Sequence, residues 1–294
     1  MNARTLKRLG IALAVLVVAW VALGLARRAS RDRERRLALV PFDPAVADHA
    51  MLIRDADSLR FVRVGAGWTV NGHRANAGLV GDLLHGLADT AAPSELAAEN
   101  ASSHQPMGLD SGQAWRVSAL LGERTLAALL VGHRGDPYGS VYVRKPGENA
   151  AYLLTQSQLA DLTERADDDW RDKAIAKVAP ESVWTVEVQR GKRGYTLTRG
   201  SSGWSLGHGG ADSAAVAGLL ARFRDLEAVG FATPAQADSA RRARTSREVT
   251  LEAKGGRALL VLRMDSTTAG YWTRPEGDST TYRLDGWTVD QLAP

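Results

Sequence analysis

The 294-residue chain is long enough for one large core or two ordinary ones, and its 45% hydrophobic and 24% charged content is that of a folded protein. The absence of cysteine excludes disulfides, thiolate nucleophiles and cysteine-ligated metals. The net charge of +4 is concentrated in the arginine-rich segment 27–36, so the remainder is close to neutral and no nucleic-acid-binding surface is predicted.

Residues 9–26 contain no charged side chain and predict a membrane-spanning helix. A helix of that length reaches about 27 Å, close to the roughly 30 Å hydrocarbon core of a bilayer. It is longer than the apolar region of most cleaved signal peptides. We therefore expect a retained anchor, with a cytoplasmic N-terminus at 1–8 and a basic juxtamembrane linker at 27–47. A cleaved signal peptide and a buried helix are the alternatives.

Basic residues flank the predicted span on both sides. Three of them (Arg4, Lys7 and Arg8) precede it and six arginines follow it. Positive-inside counting therefore favours a cytoplasmic location for the rest of the chain. The arginines suit attraction to anionic lipid, worth about 1 kcal/mol each near the surface, but a plain stop-transfer flank is the favoured interpretation.

The first half of the folded part predicts strands, turns and one main helix. Asn76 is a helix N-cap, followed by apolar residues at three- and four-residue spacing. Residues 88–112 are loop-like, and a short helix is predicted at 156–165. The predicted strands are 49–54, 59–64, 68–70, 115–121, 125–131, 140–144 and 150–154.

The second half repeats this order. Asp212 or Ser213 caps its main helix, a polar loop carries Arg241, Arg242, Arg244 and Arg247, and a helical turn is predicted at 286–292. Its predicted strands are 183–188, 195–199, one from 204, and then 248–253, 257–263, 270–274 and 280–284.

The two halves share sequence markers at matching positions. Gly-Trp follows a glycine turn at Trp68 and again at Trp204, and Tyr142 is matched with Tyr271. In the same alignment Arg116 is matched with Arg247, and Tyr152 with Tyr282. This order predicts a duplication into two related α+β domains, 48–175 and 182–294, each a mainly antiparallel sheet with a packed helix.

The repeated aromatic and histidine residues are interpreted as structural. Trp68 and Trp204 are predicted to anchor sheet to helix, because duplicated domains reuse core solutions; paired aromatic binding platforms are the alternative. His73 and His208 lack a second ligand at metal spacing. The acidic run 167–169 lacks the glycine and distal glutamate of a calcium loop, so a solvated linker is predicted.

No motif predicts catalysis, so we assign no catalytic, cofactor-binding or metal-binding residue. A nucleophile elbow, a phosphate-binding loop and a dinucleotide fingerprint are all absent from the sequence. Function is expected where the copies differ or meet. The residues predicted to face a partner are Arg241, Arg242, Arg244 and Arg247. Sheet edges that accept a partner strand are a further hypothesis.

The order of several short motifs resembles a bacterial family called domain of unknown function 4340. The resemblance covers about Pro41 to the C-terminus, and at Met107 the chain departs from the Tyr-Gly-Leu that the family more often has. The motifs are Phe42-Asp43-Pro44, Gly67-Trp68, Met107-Gly108-Leu109-Asp110, Val131-Gly132, the strand at Tyr142, and Trp170-Arg171-Asp172-Lys173.

The resemblance implies an association with ABC-type transporter components like those of gliding-motility systems. It also implies that most of the chain lies outside the bacterial cytoplasmic membrane, which is opposite to the arginine count. We therefore expect a single-pass, non-enzymatic accessory or scaffold protein of a transporter-like envelope complex. The alternatives are a ligand-binding or sensing module that uses a cleft between the repeats, and an unrecognised hydrolase.

Overall fold

Two large antiparallel sheets form the framework of the computed structural model, which describes Trp20 and residues 36–242, 245–268 and 270–294. One sheet lies in a first unit, Met1–Arg171, and the other in a second unit, Asp172–Pro294. The predicted α+β class with mainly antiparallel sheets is confirmed. The predicted anchor at 9–26 lies outside the described residues except for Trp20, and no helix within the described part is long and apolar enough to cross a membrane.

The first unit contains a nine-stranded sheet in which every pairing is antiparallel. Its order across the sheet is β4-β3-β2-β1-β6-β7-β8-β9-β5. The strands are β1 (His49–Arg54), β2 (Asp57–Val64), β3 (Gly67–Val70), β4 (His73–Arg74), β5 (Ser94–Ala98), β6 (Trp115–Leu121), β7 (Arg124–Arg134), β8 (Val141–Arg144) and β9 (Ala151–Leu154).

Helix α1 (Ala77–Ala88) closes the core of the first unit. The Asn76 side chain accepts hydrogen bonds from the backbone N–H groups of Gly78 and Leu79, which satisfies donors that a helix start leaves open. One face of α1 is fully buried with Phe61 and Trp170. Each large side chain on that face contributes about 2 kcal/mol by its removal from water. The buried residues of the helix are Val80, Leu83, Leu84 and Leu87.

The segment predicted as a loop at 88–112 contains a strand. It holds β5, which pairs with β9, and two short 3-10 helices, Ala101–Ser103 and Gln105–Met107. The alternation of apolar and polar residues that predicts a strand is weak here, because Leu96 is the one large apolar residue of β5. The helix predicted at 156–165 is reduced to α2 (Leu159–Thr163).

The second unit repeats the topology. Its order, β14-β13-β12-β11-β17-β18-β19-β20-β16, matches that of the first sheet strand for strand. Those nine strands are β11 (Thr185–Arg190), β12 (Arg193–Gly200), β13 (Gly203–Leu206), β14 (Gly209–Gly210), β16 (Gly230–Phe231), β17 (Arg247–Glu252), β18 (Ala258–Thr267), β19 (Gly270–Pro275) and β20 (Tyr282–Leu284). A separate two-stranded sheet pairs β10 (Ala174–Ala176) with β15 (Leu226–Glu227).

Three helices complete the second unit: α3 (Ser213–Ala221), α4 (Pro234–Arg242) and α5 (Gly286–Leu292). Asp212 caps α3 by accepting from Ala214 and Ala215. The predicted polar loop is wrong at both ends, since Arg241 and Arg242 end α4 and Arg247 opens β17.

The strand registers define which residues are equivalent in the two sheets. Trp68 lies opposite Arg63, and Trp204 lies opposite Arg199, so the two tryptophans occupy the same position. The register also matches Tyr152 with Tyr282.

Two of the predicted matches are shifted by one residue. Tyr142 is equivalent to Trp272, whereas Tyr271 is equivalent to Val141. Likewise Arg247 occupies the position of Trp115, and Arg116 that of Glu248. A shift of one residue moves a side chain to the other face of a sheet.

Candidate functional site

The two tryptophan markers belong to the packing of each sheet. Trp68 is buried in the first core, and the Arg63 guanidinium lies 4.6 Å from the centre of its ring. Trp204 is half-buried against the second core, with Arg199 at 5.9 Å. Both arrangements are cation–π contacts, which favour arginine over an aromatic face.

The two tyrosine markers are half-buried. Tyr142 lies on β8 opposite Leu153. Tyr271 lies on β19, where its hydroxyl accepts a hydrogen bond of 3.2 Å from the Arg247 guanidinium. The second tyrosine is therefore tied to a buried cation rather than presented to solvent.

Two of the four predicted partner-facing arginines are placed at the surface. Arg241 and Arg242 are exposed at the end of α4, and Arg241 forms an ion pair of 3.0 Å with Asp238. Arg244 lies outside the described residues.

The prediction that Arg247 faces a partner is wrong, because Arg247 is buried with 7% exposure. Its guanidinium donates to the carbonyl oxygens of Val289 and Ala293 at 3.3 and 3.1 Å and forms a 2.6 Å ion pair with Asp290. Arg247 thus supplies the Ala293 carbonyl with a donor and the Val289 carbonyl with a second one, in addition to the Ala293 N–H, at the end of α5.

Strand β5 forms one edge of the sheet in the first unit as far as the structure describes the chain, and the Leu37 N–H donates to its Ser94 hydroxyl at 2.9 Å. It pairs with β9 on one side and ends the described sheet on the other. A groove of about 670 Å³ runs beside it, and we call it the edge groove. Its lining residues are Arg36, Ala91, Pro93, Ser94, Glu95, Leu96 and Thr155.

The backbone of β5 offers hydrogen-bonding groups to the edge groove. The Thr155 N–H donates to the Pro93 carbonyl at 2.9 Å, so this pair is bonded across the ladder. Antiparallel pairs alternate between bonded and non-bonded, so the peptide groups of Ser94 and Leu96 point away from β9. The side chains of Glu95 and Ala97 are exposed beside them. This geometry suits the addition of an extended segment as a further strand.

A second cleft of about 520 Å³ lies at the end of α1, and we call it the helix-end cleft. Asp82, His85 and Asp89 supply its charged and titratable groups, and Phe42 supplies an aromatic wall. The His85 imidazole Nδ1 lies 2.7 Å from the Gly81 carbonyl. Within the described ranges no group of three or more His, Cys, Asp or Glu side chains could hold a metal ion.

Asp48 ties the first strand to a distant turn. Its carboxylate contacts the His49 ring at 2.8 Å and accepts from the Gly122 N–H at 2.8 Å. The bond with His49, followed by that with Gly122, lowers the pKa of Asp48. This carboxylate stabilises the β6–β7 turn.

Sequence comparison places the chain in a known family. The family model described as a domain of unknown function, DUF4340, matches residues 68–246, which is more than half of the chain. No curated protein and no solved structure matches the chain. The matched region runs from Trp68 in the first unit to the residue before Arg247 in the second. The chain belongs to the DUF4340 family.

Proposed function

We propose that this protein is a membrane-anchored, non-catalytic accessory or scaffold protein of a transporter-like complex in the bacterial cell envelope. The observation that carries the proposal is the edge groove, where β5 has no further strand on its outer side among the described residues and lies beside a space of about 670 Å³. A partner segment in extended conformation would pair with Ser94 and Leu96 through its main chain. Exposed side chains such as Glu95 would contribute to its selection.

The membrane location rests on the sequence. The uncharged segment 9–26 has the length of a bilayer span, and the arginines of 27–36 follow it directly. The family resemblance supports an ABC-type transporter as the partner and an extracytoplasmic location for the folded units. An anchored scaffold requires only a weak edge contact, because tethering in the same membrane raises the effective concentration of the partner.

The proposal is tested by purifying the full chain from membranes in a mild detergent. We expect the parent protein to recover a multi-spanning transporter subunit, and we expect Leu96→Pro to lose it. Proline removes the outward backbone donor but is tolerated on an open edge. The control Leu96→Val keeps the backbone donor at the same position and should retain the partner. Recovery of no membrane protein by the parent, or equal recovery by Leu96→Pro, contradicts the proposal.

A second candidate function is an envelope ligand-binding or sensing module, favoured by the helix-end cleft. Its aromatic wall and its acidic groups suit a polar ligand such as a glycan, with Phe42 against a sugar face and Asp82 and Asp89 accepting from hydroxyls. Titration of the full chain with an N-acetylglucosamine oligosaccharide tests this role. Hydrogen-exchange protection of 82–89 supports it, and unchanged exchange across that segment contradicts it.

A further inference from the structure

Three arginines lie side by side at one end of the second sheet. The register pairs Arg193 on β12 with Arg190 on β11, and Arg190 with Arg247 on β17. We call this set the arginine row. Directly opposite residues of an antiparallel pair lie on the same face, with Cβ atoms about 5 Å apart. The row therefore places three positive charges on one face of three neighbouring strands.

The arginine row continues the core-facing side of the sheet beyond the core. Side chains alternate between faces along a strand, so Arg190 follows Val186 and Val188, which are buried. Arg193 precedes Tyr195 and Leu197 on the same face of β12. Arg190 and Arg193 themselves are exposed, as is Lys192 in the turn between them. On this face of each strand, the residue next to the last apolar side chain is therefore an arginine: Arg190 follows Val188, and Arg193 precedes Tyr195.

At this end of the second sheet, some of the positive side chains have ion-pair partners and others do not. Arg247 is held by Asp290 and by two backbone carbonyls. Arg190, Lys192 and Arg193 have no ion-pair partner in the part of the chain that the structure describes. Like charges directly opposite on paired strands are destabilising, and a bound anion removes that cost.

At the equivalent position of the first unit, the arginine has partners that compensate its charge. Arg54 is equivalent to Arg190, and it has an ion-pair partner in Asp57 at 3.8 Å. Its guanidinium also lies 4.2 Å from the centre of the Trp115 ring. The second unit replaces Asp57 by Arg193 and Trp115 by Arg247. The copies share a fold but differ here by the loss of an acid and the gain of two cations.

A cleft of about 630 Å³ lies against this end, and we call it the basic cleft. Arg190, Lys192 and Arg193 line it together with Val188, Gly194, Tyr195 and Pro294. The Tyr195 phenol carries its proton at neutral pH because the ordinary pKa of tyrosine is about 10, and burial raises the pKa of Tyr195 further.

We propose that the basic cleft binds a phosphate group. Arginine guanidinium groups donate in a planar fork that fits two phosphate oxygens, and lysine adds a compact charge. The group is either free phosphate or the phosphate of an anionic lipid headgroup, since both present the same oxygens to Arg190, Lys192 and Arg193. This site lies in the second unit and is independent of the edge groove.

The test measures hydrogen exchange of residues 190–195 in the full chain reconstituted in lipid nanodiscs. One arm uses phosphatidylcholine nanodiscs with added inorganic phosphate, and the other uses nanodiscs that contain phosphatidylglycerol without phosphate. Protection in the first arm identifies free phosphate as a ligand, and protection in the second identifies the headgroup. Protection in both arms also supports the site. Absence of protection in both arms overturns the proposal.

A pair of matched variants locates the effect. Arg190→Gln combined with Arg193→Gln should weaken the response at least about tenfold, since two forks are lost. Arg224→Gln combined with Arg257→Gln removes the same charge from exposed positions outside the cleft and should leave the response unchanged. Unchanged exchange of β17 shows that each variant remains folded. Equal loss in both double variants, or full protection in the first, also overturns the proposal.

Discussion

Arg247 shows how the position of a side chain in the fold determines its role. Its charge suggested a partner contact, but the structure places it against the end of α5 with 7% exposure. Nothing in the sequence between Arg241 and Arg247 distinguishes the two residues. The partners of Arg247, which are Val289, Asp290 and Ala293, lie far along the chain. Long-range contacts of this kind require the fold to be known.

We expect Arg247→Ala to lower the free energy of unfolding by about 3 kcal/mol. The substitution leaves the buried Ala293 carbonyl and the Tyr271 hydroxyl without the arginine donor, and such unsatisfied groups are costly. The Val289 carbonyl keeps its hydrogen bond from the Ala293 N–H. Arg241→Ala removes an exposed ion pair and should cost less than about 1 kcal/mol. Urea denaturation of the second unit within the full chain measures both. A loss for Arg247→Ala no larger than that for Arg241→Ala contradicts the assigned role.

Asp48 makes the stability of the first unit depend on pH. Its pKa is lower in the folded protein, so its contribution is complete above the ordinary value of about 4 and is lost as pH falls through the folded value. Asp48→Asn should therefore lower the melting temperature near pH 7, and the difference from the parent should shrink progressively as the pH falls below about 4. Exposed Asp225→Asn is the control for loss of one charge. A difference that stays constant over this range rules out the mechanism.

At the scale of the elements, the motif at Met107 to Asp110 is explained by a close approach of two backbones. A side chain at Gly132 on β7 would run into the Met107 carbonyl oxygen. Gly108 has φ +66° and lies against His133, while Leu109 is buried and its carbonyl accepts from Arg144. The motif and the Val131-Gly132 pair were separate signals in the sequence, and they are one contact in the structure.

Gly132→Ala should destabilise the first unit by about 2 kcal/mol, since the backbone at 107–108 has to move to admit a methyl group. Gly112→Ala is the matched control, because a Cβ there meets no atom within 4 Å and the backbone is not left-handed. Thermal unfolding of the two variants measures the contrast. Equal melting temperatures would refute the close approach.

The elements were predictable from the sequence where the signal was local. The sequence predicts Asn76 as a cap and offers Asp212 or Ser213 for the second main helix, of which Asp212 is the cap, and the glycine turns predict the main hairpins. Strand β5 was missed because its pairing with β9 is long-range and its own alternation is weak. Helix α4 was also missed, although Thr233 and Gln236 exchange hydrogen bonds as a capping box with Pro234 at the first turn. That signal was readable.

At the scale of the whole molecule, two units share one topology but differ in their surfaces. The first carries the edge groove and an arginine neutralised by Asp57, whereas the second carries the basic cleft. The duplication is predictable from Trp68 and Trp204, because equivalent packing positions in the two units carry the same residue type. The candidate sites were not, because they depend on an edge and on a cross-strand register that only the fold defines.

We propose that β5 receives a membrane-protein partner. Site-specific photo-crosslinking in cells tests it most directly, with a photoreactive residue at Ala97 beside the edge groove and a control at Ala56, an exposed turn position of the same unit. We expect a crosslink from Ala97, and not from Ala56, to a multi-spanning transporter subunit identified by mass spectrometry. No crosslink to a membrane protein from Ala97, or the same crosslink from both positions, would contradict it.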